Sequence, residues 1–346
     1  MPYNGRTPTP SPIDASDIPA GSVDSSKILD GAVALSDISG EATVSLKSGR
    51  KNRIINGCMR VDQRNEGAAV VVTEGVYIVD RMVTNNTTNT GTYTVQQSSL
   101  GNAKSLRFTA TAAVTDLTTT KTAYGLLHVI EDNNVADLNG KVITISAKVE
   151  TNWAGNLPVS IINSDNTRSY VVNVAVVTGV NNIIVTLPLE ASMVLTRSNS
   201  PGIGVVIGFN NEATFRTATT GSWVAGFFGC STLSTQWAKT IGNFINVTEL
   251  QLEEGDRATD FEYRPIGEEL ALCYRYFYKL PSAQYLYSPD EGIKHFHFPV
   301  TMRVSPTVAL LTAPTGLVVN RTTPAFVTLV NATATGNVLY TASAEL

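Results

Sequence analysis

Short apolar runs separated by turn residues fill the chain from residue 51 to about residue 265. Val, Ile, Thr and aromatic residues predominate in the runs, and Asn-Gly, Asn-Asn, Gly-Asn and Ser-Asp pairs fall between them. This pattern predicts β-strands joined by turns, and no long amphipathic helix intervenes to make parallel βαβ units. The predicted strands are 53–61, 68–83, 105–110, 124–130, 141–149, 159–162, 170–177, 183–187, 203–209, 222–230 and 244–252.

Eleven such strands are typical of an antiparallel sandwich, so the predicted fold class is all-β, with a central jelly roll at 51–266. A second group of short strands predicts a small C-terminal β unit at 281–346. Because this unit has few large apolar residues, we expect it to pack on the sandwich or on other copies of the chain. Its predicted strands are 284–287, 294–303, 307–311, 316–319, 325–330 and 338–341.

One short helix is predicted at 267–280, between the sandwich and the C-terminal unit. Its first turn would contain Glu268 and Glu269, where the helix dipole favours negative charge. Apolar residues follow at helical spacing, and Lys279 and Pro281 would end the helix. These apolar residues are Leu270, Cys273, Tyr274 and Phe277. We interpret the helix as a structural bracket.

A ten-residue repeat occupies residues 16–45, within a leader and stem predicted at 1–50. A single copy of the segment buries too little apolar surface to offset its ordering entropy. It is therefore either a disordered leader or a stem in which several chains meet on a shared axis, and the regular placement of Ile favours the stem. The candidate oligomerisation residues are Ile18, Val23, Ile28, Val33 and Ile38. The proline-bearing residues before the repeat suit an extended peptide that docks onto another protein.

Composition and charge narrow the classes of partner. Charged residues make up 16% of the chain and the net charge is −4. There is no long basic run, so we expect no binding to nucleic acid. The N-terminus has no apolar core of a signal peptide, and no apolar stretch is long enough to insert into a membrane. The three cysteines, Cys58, Cys230 and Cys273, lack metal-site spacing, so we expect buried free thiols.

Four segments resemble the phage fibre and tail-appendage proteins. They are NRIINGCMRVDQRN (52–65), YIVDRM (77–82), SWVAGFFGC (222–230) and NFINVTELQLEEGDRATDFEYRPIGEELALCYRYF (243–277). In that family, a jelly roll similar to a carbohydrate-binding module ends in a QLEEG-type strand followed by an ATxFExRPxGEELALCxRYF segment. The resemblance extends to HFHFPVTMRVSPTV (295–308). It departs at Met82, where the family usually has an aromatic residue, and we expect that departure to affect packing.

The resemblance implies a homotrimeric bacteriophage virion fibre, such as a tail fibre, assembled in the host bacterial cytoplasm. The N-terminus would attach to other virion proteins, and the sandwich would be displayed for attachment to a host-surface glycan. One alternative is a head or collar fibre, or an adaptor, with a purely structural role and no ligand. The other is a glycan depolymerase. No catalytic motif is present, so we expect a protein that is not an enzyme.

Tryptophans between the predicted strands are candidate glycan-binding residues. A flat apolar ring can pack against a pyranose while neighbouring Asn and Asp side chains bond its hydroxyls. Trp153 in TNWAGN and Trp237 in STQWAKT are the candidates, whereas Trp223 lies in an apolar run and is expected in the core.

Two groups of residues are candidate metal ligands, and no other cofactor is expected. His295 and His297 would share one face of a strand. Three such pairs on a threefold axis would offer six imidazoles to a transition metal, as the resemblance to phage fibres implies. Two surface histidines without a metal are the more common arrangement. The acids Glu253, Glu254, Asp256 and Asp260 surround one turn and could bind Ca²⁺ or simply be solvated.

Overall fold

The computed structural model describes residues 50–72, 75–84, 93–112, 124–210, 215–286, 292–331 and 335–346. The predicted stem residues Ile18, Val23, Ile28, Val33 and Ile38 lie outside these ranges. The strands, in chain order, are β1 (Val70–Val71), β2 (Val76–Tyr77), β3 (Val83–Thr84), β4 (Tyr93–Leu100), β5 (Ala103–Ala110), β6 (Tyr124–Glu131), β7 (Val142–Thr151), β8 (Gly155–Asn163), β9 (Arg168–Val176), β10 (Gly179–Pro188), β11 (Pro201–Asn210), β12 (Arg216–Thr217), β13 (Trp223–Ala225), β14 (Cys230–Ser231), β15 (Phe244–Glu254), β16 (Phe277–Lys279), β17 (Gln284–Leu286), β18 (Gly292–His297), β19 (Thr307–Thr312), β20 (Val318–Thr322), β21 (Phe326–Asn331) and β22 (Gly336–Ser343).

Two large antiparallel sheets form a sandwich. The six-stranded sheet has the order β1-β4-β5-β15-β7-β10, and the seven-stranded sheet has the order β13-β9-β8-β11-β6-β3-β2. The chain passes from one sheet to the other after β1, β3, β5, β6, β7, β9 and β10, and again between β13 and β15, as in a jelly roll. The short pair β12 and β14 is parallel. The predicted all-β fold with antiparallel sheets is confirmed.

Alternating side chains place the core between the two sheets. In β10, Ile183, Val185 and Leu187 are buried, while the residues between them are exposed. The buried residues of both sheets belong to one apolar cluster, whose members include Val149 in β7 and Ile161 in β8. Because side chains alternate along a strand, the same register directs the intervening residues to the outer faces of the sandwich.

Several stretches differ from the strands that the sequence predicts. In its described residues, the predicted strand at 68–83 contains only β1, β2 and the first residue of β3, and Arg81 has a left-handed φ of 71° between β2 and β3. The predicted strand at 53–61 is wrong, because Asn56 and Met59 adopt left-handed backbone conformations with φ of 60° and 55°. The Asn56 side chain also bonds the backbone of Val61 in both directions, at 3.0 Å and 2.8 Å, in place of a strand ladder. Conversely, β4 was missed, because only a few of its residues are apolar.

The helix α1 spans Ile266–Tyr274, so the predicted helix exists but is shorter than 267–280. Cys273 is fully buried on its inner face, and Glu268 and Glu269 lie in its first turn, as expected. Phe277 is wrongly placed in the prediction, because it pairs with Ser343 at the start of β16. A strand partner far along the chain supplies the backbone hydrogen bonds that would otherwise come from helix continuation.

The C-terminal residues form two small sheets. β22 pairs with β16, β17 and β19, while β21 pairs with β18 and β20. Their shared core includes Val327, Leu329, Val338 and Tyr340. Residues Arg50–Leu346 make one compact unit, so this small core is packed onto the sandwich.

The buried cysteines agree with the sequence prediction. Cys58, Cys230 and Cys273 are free thiols in buried positions. Among the described residues, none of the helices has the length and the apolar character needed to cross a membrane.

Candidate binding groove

A β-bulge in β15 places a carboxylate on the outer face of the six-stranded sheet. The pairing of β15 with β7 shifts register between Thr248 and Gln251. Within the shift, Glu249 has a left-handed φ of 51°, which is uncommon for a residue with a side chain. Such bulges re-aim side chains, and strained backbone is concentrated at functional sites. Glu249 is therefore a candidate ligand-binding residue on this surface.

The Glu249 carboxylate has two side-chain partners. One oxygen lies 2.8 Å from the Lys148 Nζ, and the other accepts a hydrogen bond from the Tyr263 hydroxyl. Burial, and then this hydrogen bond, raise the pKa of Tyr263 to about 12. Tyr263 therefore remains a neutral phenol at physiological pH, and its ring is held beside the carboxylate while 59% of the residue is exposed.

Tyr263 lies at the edge of a groove of about 680 Å³. We call this the Tyr263 groove. The turn between β4 and β5 forms one wall, and β7 and β10 contribute Lys148 and Val180. Its lining residues are Cys58, Arg60, Leu100, Gly101, Asn102, Ala103, Lys104, Lys148, Val180, Glu249 and Tyr263.

A second, smaller depression continues along the same sheet. It has a volume of about 300 Å³ and shares Lys148 and Glu249 with the Tyr263 groove. Phe261 contributes to its wall, and the Phe261 and Tyr263 rings meet edge to face with centroids 4.8 Å apart. The two depressions together offer an extended surface on which the Glu249–Lys148 pair lies in the middle.

The local sequence explains why both rings face outward. Pro265 restricts Arg264 to extended backbone, and in extended backbone successive side chains point to opposite sides. Glu262 and Arg264 point inward: the Glu262 carboxylate accepts the Asn52 N–H at 2.7 Å, and Arg264 is buried. Phe261 and Tyr263 are left on the opposite side, against the outer face of the sheet.

The sequence predicted different aromatic residues for glycan binding, and the structure corrects it. Trp237 is 1% exposed and donates its indole N–H to the Gly208 carbonyl at 2.8 Å. Trp153 is 7% exposed and donates to the Phe244 carbonyl at 3.1 Å. Neither ring presents a face to solvent, so neither can stack on a sugar. Their position between strands does not imply exposure, because these short connections cover the end of the core.

His295 and His297 do share one face of β18, as expected. Both imidazoles contact the Phe326 ring, with centroid distances of 5.5 Å and 5.7 Å, and the His295 Nδ1 lies 3.0 Å from the Thr328 hydroxyl. In the described part of the chain, no three His, Cys, Asp or Glu residues are grouped as a metal site. A metal shared by several copies stays a prediction.

Glu253, a candidate calcium ligand, has an internal structural role. It is buried, and its carboxylate accepts the Thr259 N–H at 2.9 Å, the Thr259 hydroxyl at 2.7 Å and the Gln251 amide at 2.9 Å. Glu254 pairs with Lys141 at 3.1 Å. These contacts close the turn after β15 with protein partners alone.

The segments that resemble the appendage proteins meet in a buried clamp. Arg264 donates to the carbonyl oxygens of Asn52 and Ile54 and lies 3.3 Å from the Glu269 carboxylate. Glu269 also accepts the Asn56 N–H at 2.6 Å. The clamp thus ties residues 52–56 to the segment between β15 and α1. Its members are Asn52, Asn56, Gln251, Glu253, Glu262, Arg264 and Glu269.

A second buried network, the ionic junction, joins the sandwich to the C-terminal unit. Glu345 pairs with Arg64 at 2.6 Å and with Arg81, whose guanidinium stacks on the Tyr276 ring. Glu131 accepts bonds from the Tyr276 hydroxyl and the guanidinium of Arg275, both at 2.6 Å. Its members are Arg64, Asp80, Arg81, Glu131, Arg275, Tyr276 and Glu345.

Comparison with known proteins adds little detail. No family model and no curated protein matches the chain. Among solved structures, the enzymatically active domain of tailspike protein 4 of bacteriophage CBA120 aligns at 10% identity and TM-score 0.29, over 59% of this chain and 21% of that one. The xylan-binding CBM22-1 domain of Paenibacillus barcinonensis Xyn10C aligns at 9% identity and TM-score 0.31, over 61% and 100%. TmCBM61, in complex with β-1,4-galactotriose, aligns at 8% identity and TM-score 0.29, over 59% and 99%. These scores are too low to support an argument about function.

Proposed function

We propose that this chain is a bacteriophage virion fibre protein that binds a host-surface glycan in the Tyr263 groove. One observation supports the binding site above all: a solvent-exposed Tyr263 ring is fixed by a carboxylate on a strained bulge, beside a groove that combines apolar surface with polar side chains. The resemblance of residues 52–310 to phage appendage proteins supports the fibre role.

The groove has the features that sugar binding requires. An aromatic face provides apolar contact for a pyranose ring, and nearby polar groups bond its hydroxyls. Tyr263 supplies the face, while Lys148, Glu249 and Asn102 supply polar groups in the same lining. The volume of about 680 Å³ accommodates a short oligosaccharide, and the adjoining depression beside Phe261 extends the surface for a longer one.

Homotrimeric assembly belongs to the same proposal. The repeat at 16–45 would form the stem, and the N-terminal residues would bind other virion proteins, so the protein would reside in the virion. An exposed apolar row on the C-terminal unit could add a contact between copies: Ile293 and Val318 both lie opposite Val330 and share its face of the sheet. Three copies would raise the avidity of weak single sites.

A second candidate is a structural head or collar fibre, or an adaptor, without a ligand. The clamp favours this second candidate. The clamp residues carry part of the family resemblance, yet they serve folding and do not line the Tyr263 groove. We propose that the protein is not an enzyme under either candidate. A depolymerase would release new reducing ends from a host polysaccharide, and we expect none.

Glycan binding is tested with the purified full-length protein on an array of bacterial surface polysaccharides and plant oligosaccharides. Tyr263→Ala should weaken binding about fivefold or more, if the contact of a sugar ring with an aromatic ring is worth as much as that of a nucleobase, about 1–3 kcal/mol. Tyr285→Ala is the matched control, because Tyr285 is 66% exposed but lies in the C-terminal unit. Absence of binding by the wild type would favour the structural fibre. Equal effects of the two variants on binding would overturn the assignment of the Tyr263 groove as the glycan site.

Assembly is tested separately by light scattering. We expect the mass of three 37.0 kDa chains. A well-ordered monomer would contradict the trimer, and decoration of particles by protein lacking residues 1–50 would contradict the N-terminal anchor.

A further inference from the structure

The Tyr263 groove has an excess of positive charge. Arg60, Lys104 and Lys148 line it, against the single carboxylate of Glu249. Glu249 is already paired with Lys148. Among the described residues, neither Arg60 nor Lys104 has a carboxylate within salt-bridge distance. The groove thus leaves two cations uncompensated in a chain whose net charge is −4.

Arginines elsewhere in the described structure show what this chain does with a guanidinium that serves the fold. Six of them are paired with acids: Arg53 with Asp137, Arg64 and Arg81 with Glu345, Arg168 with Glu190, Arg264 with Glu269 and Arg275 with Glu131. Arg303 donates three hydrogen bonds to backbone carbonyls. Arg60 instead makes one hydrogen bond, to the Arg264 carbonyl at 3.3 Å. An arginine has five N–H donors, so most of those on Arg60 face the groove or solvent.

The fold fixes the backbone from which Arg60 extends. On one side, the Met59 carbonyl accepts the Gln97 amide at 2.7 Å. On the other, Val61 exchanges hydrogen bonds with the Asn56 side chain. Lys104 is similarly placed within β5, and its carbonyl accepts the Thr248 hydroxyl. Both cations therefore extend from rigid positions, which lowers the entropy cost of using them to hold a ligand.

We propose that the Tyr263 groove selects glycans that bear carboxylates, such as polymers containing hexuronic acid. Arg60 and Lys104 bind the carboxylate, and the Tyr263 ring packs against a sugar ring. A planar guanidinium matches the two oxygens of a carboxylate, and the resulting charge-assisted bonds are stronger than neutral ones. This inference rests on the proposed glycan-binding function and adds the charge of the ligand to it.

The test compares matched acidic and neutral ligands on the full-length protein. The probes are oligogalacturonates and their methyl esters, which share one sugar backbone and differ in the charge and one methyl group at each carboxyl, together with oligomannuronates, hyaluronan fragments and neutral xylo- and galacto-oligosaccharides. At least one acidic series should bind at least about tenfold more tightly than its neutral counterpart, because hydrogen bonds to charged groups contribute about 1.5–3 kcal/mol. Raising the salt from about 0.1 M to about 1 M shortens the Debye length from about 10 Å to about 3 Å and should reduce that preference.

Substitution of Arg60 and Lys104 tests whether these two cations cause the preference for acidic ligands. Arg60→Gln and Lys104→Gln should each lower the affinity for the acidic ligand by a larger factor than the affinity for its neutral counterpart. Arg321→Gln, an exposed arginine on β20, is the control and should change neither. Binding of neutral glycans without a preference for acidic ones would overturn this inference and leave the glycan-binding proposal intact. Binding of no probe at all would overturn both.

Discussion

The ionic junction and the Tyr263 groove use the same types of charged residue in opposite ways. In the junction, Glu131 and Glu345 are enclosed and each meets at least one arginine. In the groove, Arg60 and Lys104 face solvent without an acid. Removing a charge from water is costly unless partners replace the lost hydration, so a buried charge has to be matched within the chain.

The difference separates residues that fold the protein from residues available to a ligand. Clamp and junction residues already use their hydrogen-bonding groups on one another and on backbone atoms. Groove residues retain unused donors on an outer sheet face. A sequence motif that is rich in polar residues is therefore not by itself a binding site, and the clamp built from QLEEG and FEYRP is the example in this chain.

The same substitution in the two environments gives the largest expected contrast. Arg264→Met should lower the free energy of unfolding by about 3–5 kcal/mol, because it leaves Glu269 buried and two backbone carbonyls without their donor. Arg60→Met should change it by no more than about 0.5 kcal/mol, as is usual for an exposed side chain. Urea unfolding of both variants measures the contrast, and similar losses in the two would remove the distinction between clamp and groove.

A buried and an exposed aromatic residue should differ in the same way, with a smaller effect on the free energy of unfolding. Trp237→Phe should cost roughly 1–3 kcal/mol of unfolding free energy, because it leaves a gap in the core and the Gly208 carbonyl without its donor. Tyr263→Phe, at the exposed ring, should be within about 0.5 kcal/mol of wild type. Thermal unfolding of the two variants provides the measurement. A neutral Trp237→Phe would show that this indole is not part of the core.

The sequence predicted the regular strands well, because alternation such as that of Ile183, Val185 and Leu187 is local information. The sequence prediction failed where residues distant in the chain determine the backbone conformation. The stretch 53–61 has the composition of a strand, yet Asn56 turns the chain and Arg264 fastens it from more than two hundred residues away. The end of α1 is decided in the same way, by pairing of β16 with β22.

The candidate site was predicted less well than the fold. The bulge at Glu249 depends on the register between β15 and β7, which no local pattern reveals. A usable signal did exist in DFEYRP, where two aromatic residues alternate with Glu262 and Arg264 before a proline. Such alternation predicts that the aromatic and charged residues face opposite ways. The sequence predicted Trp237 instead, because tryptophan is a frequent ligand-binding residue, although its bulk equally suits a core.

Asp80 in the junction provides a pH-dependent test. Burial raises its pKa to about 7 from the ordinary value of 3.8, against the opposing influence of Arg64. The folded state therefore binds the proton more tightly than the unfolded state does, and this contribution to stability is present below about pH 4 and lost as the pH rises through about 7. The slope attributable to Asp80 approaches about 1.4 kcal/mol per pH unit within that window.

The variant Asp80→Asn isolates this contribution. We expect the unfolding free energy of the wild type to fall, relative to that of the variant, between pH 5 and pH 7. Denaturant unfolding at several pH values measures the difference. Parallel pH profiles would mean that Asp80 is ionised throughout and that its partners in the junction fully stabilise the charge. Groove variants such as Lys104→Gln should leave the profile unchanged, because they do not touch the junction.

Glu249 gives a small expected stability effect and the closest test of the groove. A left-handed backbone costs a residue with a side chain about 1–2 kcal/mol, and glycine avoids that cost. Glycine is also more flexible in the unfolded chain, which offsets about 0.4–1 kcal/mol. Glu249→Gly should therefore be at least as stable as Glu249→Ala, within about 1 kcal/mol. Both variants lose the bonds to Lys148 and Tyr263, so both should weaken glycan binding. If the bulge served folding alone, Glu249→Gly would retain the full affinity for the glycan. If Glu249→Gly is as stable as the wild type but binds the glycan less tightly, the chain keeps a strained glutamate for its ligand.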